Sequence, residues 1–150
     1  MHEEFLKIAF QEAKLGASKN DGGPFGAVIV DSNGKLISQG HNMVLATHDP
    51  TNHAEIVAIR KACESLHTHD LSGCTIYSNC EPCPMCLSAI IWSNIQVLYY
   101  GATRKDAAHI GFRDDLIYDF FEQKNQVLKS IHLNYEEGIR EFNQYKGELY

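Results

Sequence analysis

An α/β sandwich built on a mixed sheet is what this sequence predicts, and three observations predict it. Helical and strand-like periodicities alternate along the chain, and short segments punctuated by Gly, Pro, Asn and Asp separate them. The length of 150 residues suits one hydrophobic core. A hydrophobic fraction of 44% and a charged fraction of 21% are ordinary for a globular chain. No repeat, low-complexity run or linker divides the sequence, so a single domain over residues 1–150 is expected.

Residues 2–18 carry Phe5, Ile8, Ala9 and Ala13 at helical spacing and stop near Gly16, which predicts an amphipathic first helix. Asp21-Gly22-Gly23-Pro24 is a turn. Residues 25–31 and 35–42 read as an antiparallel pair of strands, joined by Ser32-Asn33-Gly34 with its Asn-Gly hairpin signal. A helix is expected over 52–66, with Thr51 as its N-cap. Residues 74–78 form a short apolar strand, 84–92 a mostly apolar helix, and 96–100 a strand closed by Gly101. An irregular stretch leads to a short helix over about 114–121, a last strand near 127–133 and a final helix over about 137–147. Strands alternating with helices from residue 70 onward predict parallel pairing there.

Composition narrows the function. The formal net charge is −6, and the densest basic runs are the pairs Arg60-Lys61 and Arg104-Lys105. Phosphate backbones are held mainly by Lys and Arg, so a nucleic-acid partner is disfavoured and a small molecule favoured. The opening MHEEFLKIAF has neither a basic start nor a long apolar run, which predicts no secretory leader. No stretch approaches the roughly 20 apolar residues that span a bilayer. Cys63, Cys74, Cys80, Cys83 and Cys86 are odd in number and clustered, which fits a reducing cytoplasm and a metal site better than disulfides.

The chemistry concentrates in His53-Ala54-Glu55 and Pro82-Cys83-Pro84-Met85-Cys86. Two Cys three apart on the first turn of a helix share one face and can share one ion. The helix N-terminus, with its partial positive charge and free N–H groups, favours thiolate there. His53 opens another helix, so two helix starts can converge on one tetrahedral Zn²⁺, whose fourth position is left for water. Glu55 lies about 200° around the helix from His53. It is therefore expected beside that water as a general base rather than as a further ligand. The alternative is a closed structural site with Cys80 as fourth ligand. A ferredoxin-type cluster would need its next cysteine at position 90, which is Ile90. His-x-Glu combined with Pro-Cys-x-x-Cys is the pattern of zinc deaminases.

On these residues the chain resembles the cytidine deaminase-like superfamily and, within it, the bacterial guanine deaminases. Asp49-Pro50-Thr51-Asn52-His53-Ala54-Glu55 with Ala58-Ile59-Arg60 is similar to the first zinc motif, and Cys80-Glu81-Pro82-Cys83-Pro84-Met85-Cys86 to the second. That core is shared with deaminases of tRNA adenosine and of cytosine. The likeness to guanine deaminases extends to Gly22-Gly23-Pro24-Phe25-Gly26-Ala27, Asn42, Trp92, Asp106-Ala107-Ala108, Gly111-Phe112 and Asp115-Leu116-Ile117-Tyr118.

The resemblance implies a three-layer α/β/α sandwich with a five-stranded mixed sheet, one Zn²⁺ per chain, a homodimer, and hydrolysis of guanine to xanthine and ammonia. It implies that Asn42 hydrogen-bonds the base, that Phe25 and Trp92 enclose it, and that Asp114 is a second acid in proton transfer. Asn42 could instead cap a strand, Phe25 and Trp92 could be plain core, and Asp115 is a rival to Asp114. The resemblance also implies that the segment of about 137–150, ending on Tyr150, closes a partner's site. Two other readings stand beside this one, a deaminase of tRNA adenosine or cytosine and a non-catalytic zinc-binding module. His2, His41, His48, His67, His69, His109 and His132 lack metal-type spacing and receive no role; 67–70 reads as a polar helix-end loop.

Overall fold

The computed structural model describes all 150 residues. The elements run α1 (His2–Ser18), β1 (Gly26–Val30), β2 (Leu36–His41), α2 (Val44–Thr47), α3 (Ala54–Leu66), β3 (Thr75–Cys80), α4 (Pro84–Trp92), β4 (Val97–Ala102), α5 (Arg104–His109), α6 (Asp114–Phe121) and α7 (Glu136–Asn143). The sheet order is β2-β1-β3-β4. β1 pairs antiparallel with both β2 and β3, and β3 pairs parallel with β4, so the sheet is mixed as the sequence predicts.

The period-two alternation of β1 makes the layers. Every residue of its Gly-Ala-Val-Ile-Val run is buried, the mark of a strand covered on both faces. Ala27 and Ile29 pack with Ala54, Ala58 and Ala62 of α3 and Ile90 of α4. Val28 and Val30 face the other way, with Tyr77 of β3 and Phe5, Leu6 and Ile8 of α1. The result is α1, sheet, then α3 and α4. The small side chains of α3 let that helix lie close on the sheet. Asn42 after β2, Phe25 before β1 and Glu81 after β3 all emerge at one end of the sheet, and α3 and α4 begin there.

Three expectations are corrected. Residues 127–133 form no strand, so the sheet has four strands rather than five. A strand has no hydrogen bonds of its own making and exists only against a neighbour. Here the chain after α6 meets none, and Val127, Leu128, Ile131 and Leu133 stay exposed. Helix α3 begins one residue after His53, which is its N-cap in place of Thr51. The Thr51 backbone N–H and hydroxyl are both donated to Asp49 Oδ1, at 2.8 and 2.7 Å. Two short helices, α2 and α5, also lie where the sequence predicts none. The second is held by a capping box in which Thr103 and Asp106 satisfy each other's backbone N–H.

The contact between α1 and β1 is tight enough to require glycine. A Cβ on Gly26 would stand 2.1 Å from the Ala9 carbonyl oxygen and 2.7 Å from the Ala13 nitrogen, both backbone atoms. Gly26→Ala is therefore expected to destabilise the fold by about 1–3 kcal/mol, the usual cost of overpacking. Thermal unfolding of the variant checks it, and an unchanged midpoint would contradict the close approach.

Candidate functional site

His53 and Cys83 are the N-cap residues of α3 and α4, with extended backbone angles (φ −69°, ψ 162° and φ −66°, ψ 167°). Neither side chain caps its own helix, so both are free to project past the helix ends. Pro84 at the first position of α4 starts that helix without a stranded N–H, and Cys86 follows on the same face. The His53 Nδ1 lies 3.5 Å from Cys83 Sγ and 3.5 Å from Cys86 Sγ. The three donor atoms all fall within 4.8 Å of one another.

This donor set fits a tetrahedral metal centre. Bonds of about 2.3 Å to sulfur and about 2.05 Å to nitrogen, opened to a tetrahedral angle, set S and N about 3.6 Å apart. That is the spacing found here. The protons tell the same story. A hydrogen bond from the Cys86 thiol, helped by His53, brings Cys83 down to about 4, so Cys83 is a thiolate. Cys86 is pushed up by holding that shared proton and by burial. The His53 imidazole is pushed up by its hydrogen bond to Cys83. A proton held between two sulfurs and an imidazole is one that a divalent cation displaces on binding.

Glu55, on the first turn of α3, stays out of the donor group and is only 5% exposed. Its Oε1 accepts a hydrogen bond from the buried Ser78 hydroxyl of β3 at 3.0 Å. Burial raises its pKa above the ordinary carboxylate range, which suits a group that exchanges protons close to neutrality.

A cavity of about 380 Å³ opens beside this centre, with Phe25, Asn42, His53, Glu55, Glu81, Cys83, Phe112 and Asp114 among its lining. Asn42 is buried directly after β2. Its backbone N–H is donated to the Phe25 carbonyl and its Oδ1 accepts the Val44 N–H, which leaves the Nδ2 hydrogens to offer to a ligand. The Phe25 ring meets the edge of Phe112 at 4.7 Å. Gly23 makes room for that pair, since a Cβ there would lie 2.7 Å from Phe112 and 2.9 Å from Phe25. Asp114 starts α6 and lines the cavity, and burial and the Cys83 thiolate raise its pKa. Asp115 points away, with its Oδ1 3.8 Å from Arg104 Nε on the surface.

The structure thus brings His53, Glu55, Cys83, Cys86, Asn42, Phe25 and Asp114 together. It does not bring Trp92 or Tyr150 to them. Trp92 ends α4, the far end of the helix from Cys83, and is 64% exposed. The Tyr150 ring lies 6.1 Å from Trp92 and 6.1 Å from His69. In this chain both rings belong to the opposite end of the molecule. Cys80 is no fourth ligand: it is buried, pushed up to about 11 by that burial, and its thiol is donated to the Thr103 carbonyl at 3.6 Å. His67 is the left-handed C-cap of α3, in keeping with a helix-end loop.

Sequence reasoning missed four residues. Ser78 orients Glu55. Asn79 accepts the Gly26 N–H and donates to the Pro24 carbonyl, fixing the turn that carries Phe25. Glu81 lines the cavity while its Oε2 accepts the Arg104 N–H. Phe112 faces Phe25. Of these, Glu81, between the cysteines of the motif, and Phe112, in the stretch that resembles guanine deaminases, carried a positional signal.

A family model described as the cytidine and deoxycytidylate deaminase zinc-binding region matches residues 1–102. The chain is 50% identical over 117 residues to a guanine deaminase of Bacillus subtilis, a match taking in 78% of this chain and 74% of that one. It is 45% identical over 103 residues to a tRNA-specific adenosine deaminase of Aquifex aeolicus, across 69% of this chain and 67% of the relative. The X-ray structure of guanine deaminase from Bacillus subtilis superposes with a TM-score of 0.93 at 40% identity, covering 100% of this chain and 99% of that one.

The donor geometry sets a direct test. Cys86→Ser is expected to lose most of the bound metal and Cys80→Ser to keep it, as read by elemental analysis of purified protein. Equal loss in both would place Cys80 among the ligands.

Proposed function

The chain belongs to the cytidine and deoxycytidylate deaminase family and is a deaminase, and we propose that it hydrolyses free guanine to xanthine and ammonia with one Zn²⁺ on His53, Cys83 and Cys86. One observation carries the choice of base. The likeness to a guanine deaminase structure continues through residues 103–150, beyond the region common to the family, and that stretch contains Phe112 and Asp114. The formal charge of −6 is unsuited to a tRNA substrate.

A zinc ion in this donor set supplies water activation at neutral pH and polarises the reacting centre. The residues do the rest. Phe25 and Phe112 hold the flat base in an apolar slot, and Asn42 Nδ2 hydrogen-bonds one of its acceptors. Glu55 has Oε1 committed to Ser78, so its Oε2 takes the proton released by the attacking water and passes it to ring N3, beside the carbon that bears the amine. The remaining proton of the added hydroxyl is the second: Asp114 gives its own proton to the amine, which leaves as ammonia, and takes up the hydroxyl proton as the carbonyl forms. Water adds, ammonia departs, and the carbon becomes a carbonyl.

The same reading includes a homodimer in the cytoplasm, acting in purine metabolism. Its supports are the exposed apolar side chains of the tail (Val127, Leu128, Ile131, Leu133, Phe142 and Leu149) and five free thiols. No helix is long and apolar enough to cross a membrane. Within the dimer, about 137–150 with Tyr150, and Trp92 beside it, would close the partner's cavity.

Ammonia release from a panel of free bases, nucleosides and tRNA tests the substrate. Guanine is expected to lead, and Glu55→Gln to lose about 10²-fold or more of kcat with zinc retained, as for removal of a general base. Silence on every base with editing of tRNA would overturn guanine.

The pH profile follows from Glu55. It must be ionised to accept a proton, so kcat/KM should fall toward acid, with a midpoint above the ordinary carboxylate range because burial raises its pKa. A midpoint at or below that range would contradict the assignment.

Deleting residues 146–150 is expected to lower turnover much more than zinc content. Unchanged turnover would refute closure by the tail.

A further inference from the structure

We propose that His41 is a positioning residue for the base: held through both ring nitrogens between Glu12 and Asp21, it fixes the two backbone segments that wall the cavity. The inference rests on the base-binding role given above to Asn42 and its neighbours.

His41 Nδ1 lies 2.8 Å from Glu12 Oε2, and His41 Nε2 lies 2.8 Å from Asp21 Oδ2. One ring thus ties a side chain of α1 to a side chain of the turn that follows it. The three side chains are only 11–20% exposed, which keeps these charge-assisted bonds from being screened as surface pairs are. Other charged groups stand around the cluster. Lys19, Arg60 and Lys61 line the cleft on its outer side; the Lys61 ammonium is donated to the Gln39 carbonyl, and Arg60 to Asn52. The Gln39 amide takes the other oxygen of Glu12. The ring fits because Gly16 of α1 leaves it room: a Cβ there would stand 2.4 Å from His41 Cδ2. A glycine inside a helix costs about 0.5–1 kcal/mol relative to alanine, and here it admits the ring.

The clamp reaches the cavity through the backbone. His41 ends β2 and is followed by Asn42. Asp21 is followed by Gly22 and Gly23, which line the cavity, and its carbonyl accepts the N–H groups of Leu45 and Ala46 at 2.9 and 3.0 Å. Asp21 therefore joins the His41 ring to the segment that presents Val44 and Leu45. The two walls also abut directly, since a Cβ on Gly22 would fall 2.0 Å from Asn42 Oδ1. None of the clamp residues lines the catalytic cavity except through these neighbours, so the effect falls on base binding rather than on the proton transfers.

The test uses full-length holoenzyme with His41→Gln and, should that variant fold poorly, Asp21→Asn. At full zinc content, amide hydrogen exchange in residues 42–47 is expected to speed up about tenfold. KM for the base that the wild type deaminates should rise about tenfold, with kcat within about twofold. Unchanged exchange, or faster exchange with KM unmoved, overturns the clamp. Because the exchange readout needs no substrate, a wild type silent on guanine would refute the guanine reading while still leaving the clamp judged by exchange.

Discussion

The site depends on two helices beginning at one place. α3 and α4 start at the same end of the sheet, and each gives its N-cap side chain to the centre instead of to its own backbone. A helix start without a capping side chain leaves N–H groups and partial positive charge facing outward. Thiolates are the natural companions of such ends. The sheet makes the convergence possible because β1 is buried on both faces, so α3 lies by its own alanines on Ala27, Ile29 and Ile76 and cannot shift without opening the core. The usual stabilisation of each helix start is exchanged for a position in the site.

The same arrangement explains the proton chemistry. Glu55, Glu81 and Asp114 share one cavity with the Cys83 thiolate, and burial works against the charge of Glu55 and Asp114. Gathering that much negative charge in a half-closed space is costly unless a cation joins it. A divalent ion at the three donors supplies that cation without disturbing the hydrogen bond that aims Glu55, because Ser78 lies on β3, apart from the donor atoms. Ser78 of the sheet thus orients the Glu55 carboxylate, and burial in the cavity raises its pKa.

How much of this was legible in the sequence varies with the range of the signal. His53, Cys83 and Cys86 could be found because ligand spacing along a helix start is local. Helix α3 and the β1–β2 hairpin were equally plain. Thr51 was misread as a cap because an N-cap preference is a statement about residue type, and Asp49 competes for its hydrogen bonds. Ser78 and Asn79 were invisible because what each does depends on a partner 23 to 55 positions away, and an isolated Ser or Asn carries no pattern; Phe112 was named only within a resemblance, and its pairing with Phe25 had no local sign. His41 had no role on spacing grounds, since its partners come from α1 and the turn that follows it. Asp114 and Asp115 look alike in sequence, and only the direction of the first turn of α6 separates the cavity from the surface.

The strand expected at 127–133 is the most instructive miss, because its residues do have strand character. Val127, Leu128, Ile131 and Leu133 are the residue types that pair well, yet they lie exposed. In the sheet β4 is an edge strand, with Val97, Tyr99 and Tyr100 substantially exposed. An uncovered, apolar edge is a liability that proteins normally shield with charge, bulges or a covering segment. Here the edge lacks a strand and the tail lacks an edge, and within one chain neither satisfies the other. In the proposed homodimer two copies would remove both deficits by symmetry, since whatever one tail offers to its partner would be returned. That reciprocity is the physical argument for the dimer. The same proposal would account for Tyr150 standing apart from the cavity of its own chain, beside Trp92 at the end of α4: a tail that acted on a partner would have no reason to fold back over the site from which it came.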